Sequence, residues 1–362
     1  MSQIKHPDRK IRLGIVGATG YVGMELVRYL HSHPNFEITA LCSKSYAGKP
    51  FSEIYPAFKG LVDLVLSDID PDRLAQICDV VITALPHGVS ASIVSDLLDR
   101  GLRVLDHSAD FRFNELSTYE TTYKVEHPHP ELLSEAVYGL PELYRSELAR
   151  ARLIANPGCY PTCTILALAP LISGQQIDPQ GIIVDAASGI TGAGRRADVA
   201  YTMAEMGQNY KPYGVVGHRH TPEMREKLSL LTDDTVQITF TPHLLPIGHG
   251  MLATIYARPN STRRESGQVL DTAELVSLYK EYYKDEMFVR VLDEGSLPQT
   301  SAVCGSNFCD LAPLYDADNQ LIKIFSAIDN LGKGACAQAV QALNIMFGLA
   351  ETSGLTGVPL AI

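Results

Sequence analysis

The chain has 362 residues, 46% hydrophobic and 20% charged, with 28 glycines and 21 prolines, an ordinary globular composition that excludes disordered, collagen-like and low-complexity classes. Lysine and arginine total 30 against 41 acids, and the formal charge of −11 argues against a nucleic-acid surface. No apolar run approaches the roughly 18 residues of a membrane helix, the start MSQIKHPDRK lacks the apolar core of a signal peptide, and the 7 cysteines follow no framework spacing, so a cytoplasmic, reducing setting with free thiols is expected.

The length suits about two domains at ~100–200 residues each. After a polar tail, Ile11–Val16 reads as a strand, followed by a glycine cluster and a helix with apolar residues at Met24, Leu26, Val27 and Leu30. Residues 36–41 predict a second strand and 80–85 a third, closed by Pro86-His87-Gly88 and followed by an amphipathic helix through Ile93, Val94, Leu97 and Leu98. Further strands are expected at 102–105 and Leu153–Ala155, with a polar, Tyr- and Pro-rich stretch from Asp110 to Pro141 between them. This alternation predicts an α/β fold, a Rossmann-type parallel sheet covered on both faces. After about residue 180 the strands at 181–187, 236–241, 252–257, 288–292 and 321–328 have few helices between them, which predicts a mixed sheet in a second, α+β domain. The pattern changes near 157, and a last helix is expected at about 334–350, its alanines suited to close packing.

Gly17-Ala18-Thr19-Gly20-Tyr21-Val22-Gly23 follows a strand and opens a helix. Glycines allow a tight turn and close approach to a pyrophosphate, while the helix N-terminus offers N–H groups to its charge. Gly17, Thr19, Gly20, Tyr21 and Val22 are therefore the candidate dinucleotide cradle; the plainer alternative is an ordinary strand-to-helix turn. An NAD site usually carries an acid at the end of the second strand. Here that strand ends Leu41-Cys42-Ser43-Lys44-Ser45, and the hydroxyls of Ser43 and Ser45 with the Lys44 ammonium suit a 2′-phosphate, so NADP(H) is the expected cofactor.

Asn156-Pro157-Gly158-Cys159-Tyr160-Pro161-Thr162 closes a strand before an apolar helix. Proline favours the first helical position, so Pro161 is expected there, with Cys159 just before the N-terminus. Exposed N–H groups and the dipole lower a thiol pKa at such a place, and the thiolate is the nucleophile. Cys42, Cys78, Cys163, Cys304, Cys309 and Cys336 read as packing residues. In Gly217-His218-Arg219-His220-Thr221-Pro222-Glu223, Thr221 is expected to cap a helix opened by Pro222, and His218 and His220, on extended backbone, to face one side. No Cys-x-x-Cys or His-x3-His spacing accompanies them, so no metal is expected. His31/His33 and His127/His129 share the His-x-His spacing and read as surface loop residues. Ser188-Gly189-Ile190-Thr191-Gly192-Ala193-Gly194-Arg195-Arg196 follows a strand and can form a backbone nest for phosphate or carboxylate, with Arg112 as a second candidate.

Several blocks, in order over nearly the whole chain, resemble the N-acetyl-γ-glutamyl-phosphate reductases of arginine biosynthesis: GATGYVGMELVR at 17–28, SADFR at 108–112, YGLPE at 138–142, NPGCYPT at 156–162, ASGITGAGR at 187–195, PYGVVGHRHTPE at 212–223, TPHLLP at 241–246 and the run from Asn330 to Glu351. The resemblance implies an NADP-binding domain at 1–157 completed by the C-terminal helix within 330–362, and a catalytic and dimerisation domain at 158–329. It implies that Cys159 attacks an acyl phosphate, expels inorganic phosphate and forms a thioester, which NADPH reduces to the semialdehyde, with His220 moving the proton. Arg112, Asn156, Ser188, Gly192, Arg195, His218 and Glu223 would hold the substrate, and Pro157, Gly158 and Asn330 would join the cofactor site. A homo-oligomer, dimer or tetramer, is expected. One departure is His249, where the family usually has arginine. Competing readings are a related acyl-phosphate reductase (aspartate semialdehyde or a carrier-linked amino-adipyl phosphate), a Cys–His hydrolase, and an NADP-binding redox sensor.

Overall fold

The computed structural model describes residues 9–195, 197–261 and 271–360. They form two compact units, one of the chain up to Pro157 with Ala335–Gly357, the other of Gly158–Gly334 with the chain from Val358 onward.

The first unit runs β1 (Ile11–Val16), α1 (Tyr21–Leu30), β2 (Phe36–Cys42), α2 (Pro71–Ile77), β3 (Val80–Thr83), α3 (Ser90–Asp99), β4 (Arg103–Asp106), α4 (Leu116–Tyr123), β5 (Ala136–Tyr138), α5 (Pro141–Leu148) and β6 (Leu153–Ala155). The sheet order is β2-β1-β3-β4-β6-β5, and every pairing is parallel. β3 is buried along its whole length, as a near-continuous apolar strand covered on both faces must be. The strand order reverses between β1 and β3, a topological switch point of the kind that holds ligands in open α/β sheets. The polar stretch after Asp110 contains α4 and β5, and Asp110 itself explains part of its order. Its carboxylate accepts from Gly88 N at 2.8 Å, Ala91 N at 3.0 Å and Tyr119 Oη at 2.8 Å, tying the start of α3 to α4.

Two of the histidines expected on the surface are buried instead. His33 Nδ1 accepts from Asn35 N and Phe36 N, and its Nε2 donates to Ser353 O at 2.9 Å. His127 Nε2 donates to Asp110 O at 2.7 Å. A His-x-His spacing carries no burial information, because the carbonyls that receive these rings, Ser353 O and Asp110 O, come from other parts of the chain.

The second unit runs α6 (Cys159–Ser173), β7 (Ile182–Gly189), β8 (Lys211–Pro212), α7 (His220–Ser229), β9 (Ile238–Leu245), β10 (Met251–Ala257), α8 (Thr272–Tyr282), β11 (Val289–Val291), β12 (Cys309–Asp316) and β13 (Leu321–Ile328). Its sheet is mixed, in the order β11-β12-β13-β10-β7-β9-β8, with β7–β9 and β11–β12 parallel and the remaining pairs antiparallel. Along β10 Met251, Ala253, Ile255 and Ala257 are buried while Leu252, Thr254 and Tyr256 are part-exposed, so only one sheet face is covered within this unit.

α6 is apolar all round and buried from Tyr160 to Ile172, as a core helix should be. Pro170 lies inside it and has no N–H for the carbonyl of Leu166. Tyr283 Oη donates to Leu166 O at 2.5 Å, and Tyr279 Oη donates to Ala167 O at 2.5 Å. The loosened turn is thus satisfied by two tyrosines from the end of α8. The chain finally returns to the first unit as α9 (Ala337–Met346), every residue buried, against α1 and α5.

Candidate active site

The glycine loop lies at the switch point of the first sheet. Gly17 has φ +85°, and a Cβ there would sit 2.4 Å from Ala84 O, just beyond β3. A Cβ on Gly23 would sit 2.4 Å from Gly17 O and 2.6 Å from Ala18 Cα, so this glycine lets α1 pack directly on the loop. Gly20 is the N-cap of α1 and no side chain caps the helix, which leaves its first turn open to an anion. Thr19 Oγ1 and Ser43 Oγ share a hydrogen bond at 2.8 Å, joining the loop to the end of β2. Ser43 is buried, whereas Lys44 and Ser45 are exposed beyond it. A cradle that side chains cannot fill, an uncapped helix start and an ammonium with hydroxyls in place of an acid fit a phosphorylated dinucleotide.

Arg112 and Asn156 also belong to the first unit. Arg112 is buried, and its Nη2 donates to His107 O at 2.9 Å. Asn156 Nδ2 donates to Ala335 O at 3.1 Å and lies 3.3 Å from His107 Nδ1. Burial and the Arg112 charge push the His107 imidazole down to about 3, so it is neutral and accepts that bond.

Cys159 opens α6 in the second unit. The helix starts two residues earlier than the proline signal indicates: Gly158 is the N-cap and Cys159 occupies N1, with Pro161 inside the first turn, where its missing N–H costs nothing. The same correction applies to α7, which starts at His220 with Arg219 as N-cap and no side-chain cap from Thr221. Arg219 has helical φ −58°, ψ −23°. With Arg219 helical and His220 already in α7, the segment between the two histidines is not an extended strand, yet their rings converge, 5.0 Å between centroids.

Three close approaches fix the thiol's surroundings. Gly158 N donates to Glu223 Oε1 at 2.9 Å, and Glu223 is fully buried on α7. A Cβ on Gly158 would lie 2.6 Å from His220 Nε2, so the imidazole sits against the backbone that leads into Cys159. A Cβ on Gly334 would lie 2.9 Å from Cys159 Cβ.

His218 is enclosed by rings, with centroids of Tyr160, Tyr213 and Phe240 at 5.8, 5.5 and 5.2 Å. Burial first, and then the Arg219 charge, pushes its pKa down to about 4. Its Nδ1 accepts from His220 N at 3.2 Å, so the neutral ring carries its proton on Nε2 and is a hydrogen-bond donor. Tyr213 Oη donates to Tyr160 Oη at 3.2 Å, and burial pushes the Tyr213 phenol up to about 12.

A cavity of about 300 Å3 in this unit is lined by Cys159, Ser188, Gly192, His218 and His220, all expected from the sequence. It is also lined by Tyr160, Ala193, Tyr201, Tyr213, Arg219 and Leu244, which motif reasoning did not single out. Tyr160 and Arg219 adjoin expected residues and Tyr213 lies in the PYGVVGHRHTPE block, so adjacency was the available signal. Ser188 and Gly189 close β7, and the loop beyond them is a 3-10 turn at Ile190–Ala193 ended by Gly194 at φ +79°. Arg195 is exposed, and Arg196 lies outside the described residues. Asn330 braces the loop: its Oδ1 accepts from Gly250 N and its Nδ2 donates to Thr191 Oγ1, each at 2.9 Å. His249 Nδ1 lies 3.4 Å from Asp329 Oδ1, whose carboxylate also accepts from Leu331 N and Gly332 N.

The other cysteines separate by burial. Cys42, Cys78, Cys163, Cys309 and Cys336 are buried, and desolvation pushes the Cys163 thiol up to about 12. Cys304 is part-exposed like Cys159, so it is not the fully packed residue expected.

Residues 12–151 match the semialdehyde dehydrogenase NAD binding domain, and residues 159–330 the semialdehyde dehydrogenase dimerisation domain. The chain is 50% identical over 344 residues (95% of this chain, 97% of the relative) to the N-acetyl-gamma-glutamyl-phosphate reductase of Acetivibrio thermocellus. It is 49% identical over 350 residues (96% and 99%) to that of Citrifermentans bemidjiense. Among solved structures it has the fold of aspartate semialdehyde dehydrogenase II from Vibrio cholerae, at a TM-score of 0.69 and 15% identity over 94% of this chain and 98% of that one. The aspartate semialdehyde dehydrogenase of Candida albicans, solved with NADP, gives a TM-score of 0.69 at 16% identity over 93% and 98%. With half its residues shared over nearly the full length of these relatives, the chain belongs to the N-acetyl-gamma-glutamyl-phosphate reductase family.

Proposed function

We propose that the protein reduces N-acetyl-glutamyl 5-phosphate to the 5-semialdehyde, in the setting of arginine biosynthesis, through a thioester on Cys159. The observation that carries this route is the thiol at N1 of a 15-residue helix, in a cavity it shares with two imidazoles. The helix start favours thiolate, the attacking form. Cys159 Sγ forms a bond to the acyl carbon as the carbon–phosphate oxygen bond breaks, and phosphate departs with the electron pair. NADPH held at the glycine loop would supply the hydride that reduces the thioester. His220, held over Gly158, moves the proton as the resulting thiohemiacetal collapses and the thiolate is released. His218, a neutral Nε2–H donor, orients an anionic or carbonyl oxygen of the substrate with Ser188, Gly192 and Arg219. Glu223 acts through Gly158 as a positioning residue. Arg112, Asn156 and Arg195 are assigned to the substrate, and Gly17, Thr19, Gly20, Tyr21, Val22, Pro157, Gly158 and Asn330 to the cofactor.

NADPH is the preferred cofactor in this reading, on the strength of Ser43, Lys44 and Ser45. The part-exposed sheet face carrying Ile183, Asp185 and Tyr256 supports assembly into a dimer or tetramer. No described helix is long and apolar enough to cross a membrane, and we place the enzyme in the cytoplasm. Phosphate-dependent reduction of NADP+ with a panel of semialdehydes tests the reading. N-acetyl-glutamate semialdehyde should give the highest kcat/KM; aspartate semialdehyde turning over faster would overturn the substrate assignment.

A further inference from the structure

A second cavity of about 300 Å3 lies within the first unit, lined in part by Arg9, Lys10, Asp79, Arg103, Phe347 and Leu349. Lys10 immediately precedes β1, Asp79 precedes β3 and Arg103 opens β4. Because these strands are parallel, this is the amino-terminal edge of the sheet, opposite the carboxyl edge that carries the glycine loop. The single acid here is already engaged: Asp79 accepts from Arg12 N and Arg12 Nη2, both at 2.8 Å, and from Arg12 Nε at 3.3 Å. Arg9 Nη2 lies 3.7 Å from the same carboxylate.

Arg103 differs from the other cations. Its guanidinium is part-buried over the Phe347 ring, 4.8 Å from the centroid, and Nη1 donates to Met346 O at 2.6 Å. Among the described residues no carboxylate pairs with it. A guanidinium has five N–H donors in a fork that suits carboxylate or phosphate. Desolvating such a charge without a counter-ion is costly, and an anion in the cavity would offset that cost. Phe347, Leu349 and Ile11 supply apolar wall beside it. In a chain of net charge −11, this is a local reversal of sign next to apolar surface.

We propose that this cavity binds a small organic anion, a carboxylate or phosphate on an aromatic or hydrocarbon body. The charge sits on Arg103 with Arg9 and Lys10 at the rim, and the body lies on Phe347 and Leu349. The test is calorimetric titration of the full chain with phenyl phosphate, benzoate and inorganic phosphate, with NADP+ binding measured in parallel. Phenyl phosphate or benzoate should bind at least tenfold more tightly than inorganic phosphate. Arg103→Met and Phe347→Ala should each weaken that binding at least tenfold while moving the NADP+ Kd less than twofold. If Arg103→Met does not fold, the rim double variant Arg9→Gln/Lys10→Gln must weaken binding at least threefold. No binding by the wild type at 10 mM probe, binding indifferent to these substitutions, or binding that appears only after deletion of residues 1–8 would each overturn the proposal.

Discussion

Gly158→Ala isolates the placement of the His220 imidazole from everything else in the cavity. Gly158 has φ −69° and ψ 152°, a conformation any residue adopts, so alanine brings no backbone strain. The backbone N–H that bonds Glu223 is also retained. The only conflict is steric: the new Cβ would lie 2.6 Å from His220 Nε2 and 2.9 Å from both Cδ2 and Cε1. Ordinary contact begins at 3.4 Å, so the ring must withdraw by about 0.8 Å or more. A misplacement of ~1 Å at a catalytic group costs on the order of 10²-fold in rate. We expect kcat for NADPH oxidation with acyl phosphate to fall by about that factor at saturating NADPH, while the melting temperature stays close to wild type. A folded Gly158→Ala enzyme with kcat within threefold of wild type would refute the role given to this contact.

Other consequences are equally direct. Tyr283→Phe leaves the Leu166 carbonyl unpaired above Pro170 and should cost about 1–3 kcal/mol in urea unfolding, with kcat unchanged in the folded enzyme. His218 is held down to about 4 in the folded chain against 6.5 for an ordinary imidazole, so the unfolded chain binds more protons between those values. Stability should therefore fall as pH drops through that window, by at most about 3 kcal/mol from this site, and His218→Asn should remove that share of the acid sensitivity in unfolding curves.

Most of the first sheet was legible because its strands are mainly apolar and lie within a few residues of a glycine or proline, whereas β5 (Ala136–Tyr138) sits inside the polar stretch and gave no such signal. What escaped lacks such a period. β12 begins Cys309-Asp310 and contains Pro313, which sequence rules place outside a central strand. Its neighbour β11 pairs only with Cys309–Leu311, so by Pro313 no ladder bond on that side is lost. α4, with the sequence LSTYETTY, is weakly amphipathic and ends at Lys124 in the left-handed region, φ 56°, where glycine would have been the signal. In the active-site cavity, Cys159, His218 and His220 were readable from residue chemistry, and the family blocks were readable as a resemblance. Tyr201 and Leu244 were not, since residues about 40 apart meet only through the register of β9 on β7 and the return of the chain to α7. The approach of His220 to Gly158 likewise belongs to tertiary packing: the glycine is visible in the sequence, but the ring that requires it is not.

The thioester route requires a covalent bond between the substrate acyl group and Cys159. Mixing enzyme with N-acetyl-glutamyl phosphate in the absence of NADPH, quenching in acid and measuring intact mass should show an added N-acetyl-glutamyl group, mapped by peptide analysis to the segment containing Cys159 and absent in Cys159→Ala. Subsequent NADPH should discharge it as semialdehyde. An adduct that persists in Cys159→Ala, or an alanine variant that turns over at near wild-type rate, would contradict the account.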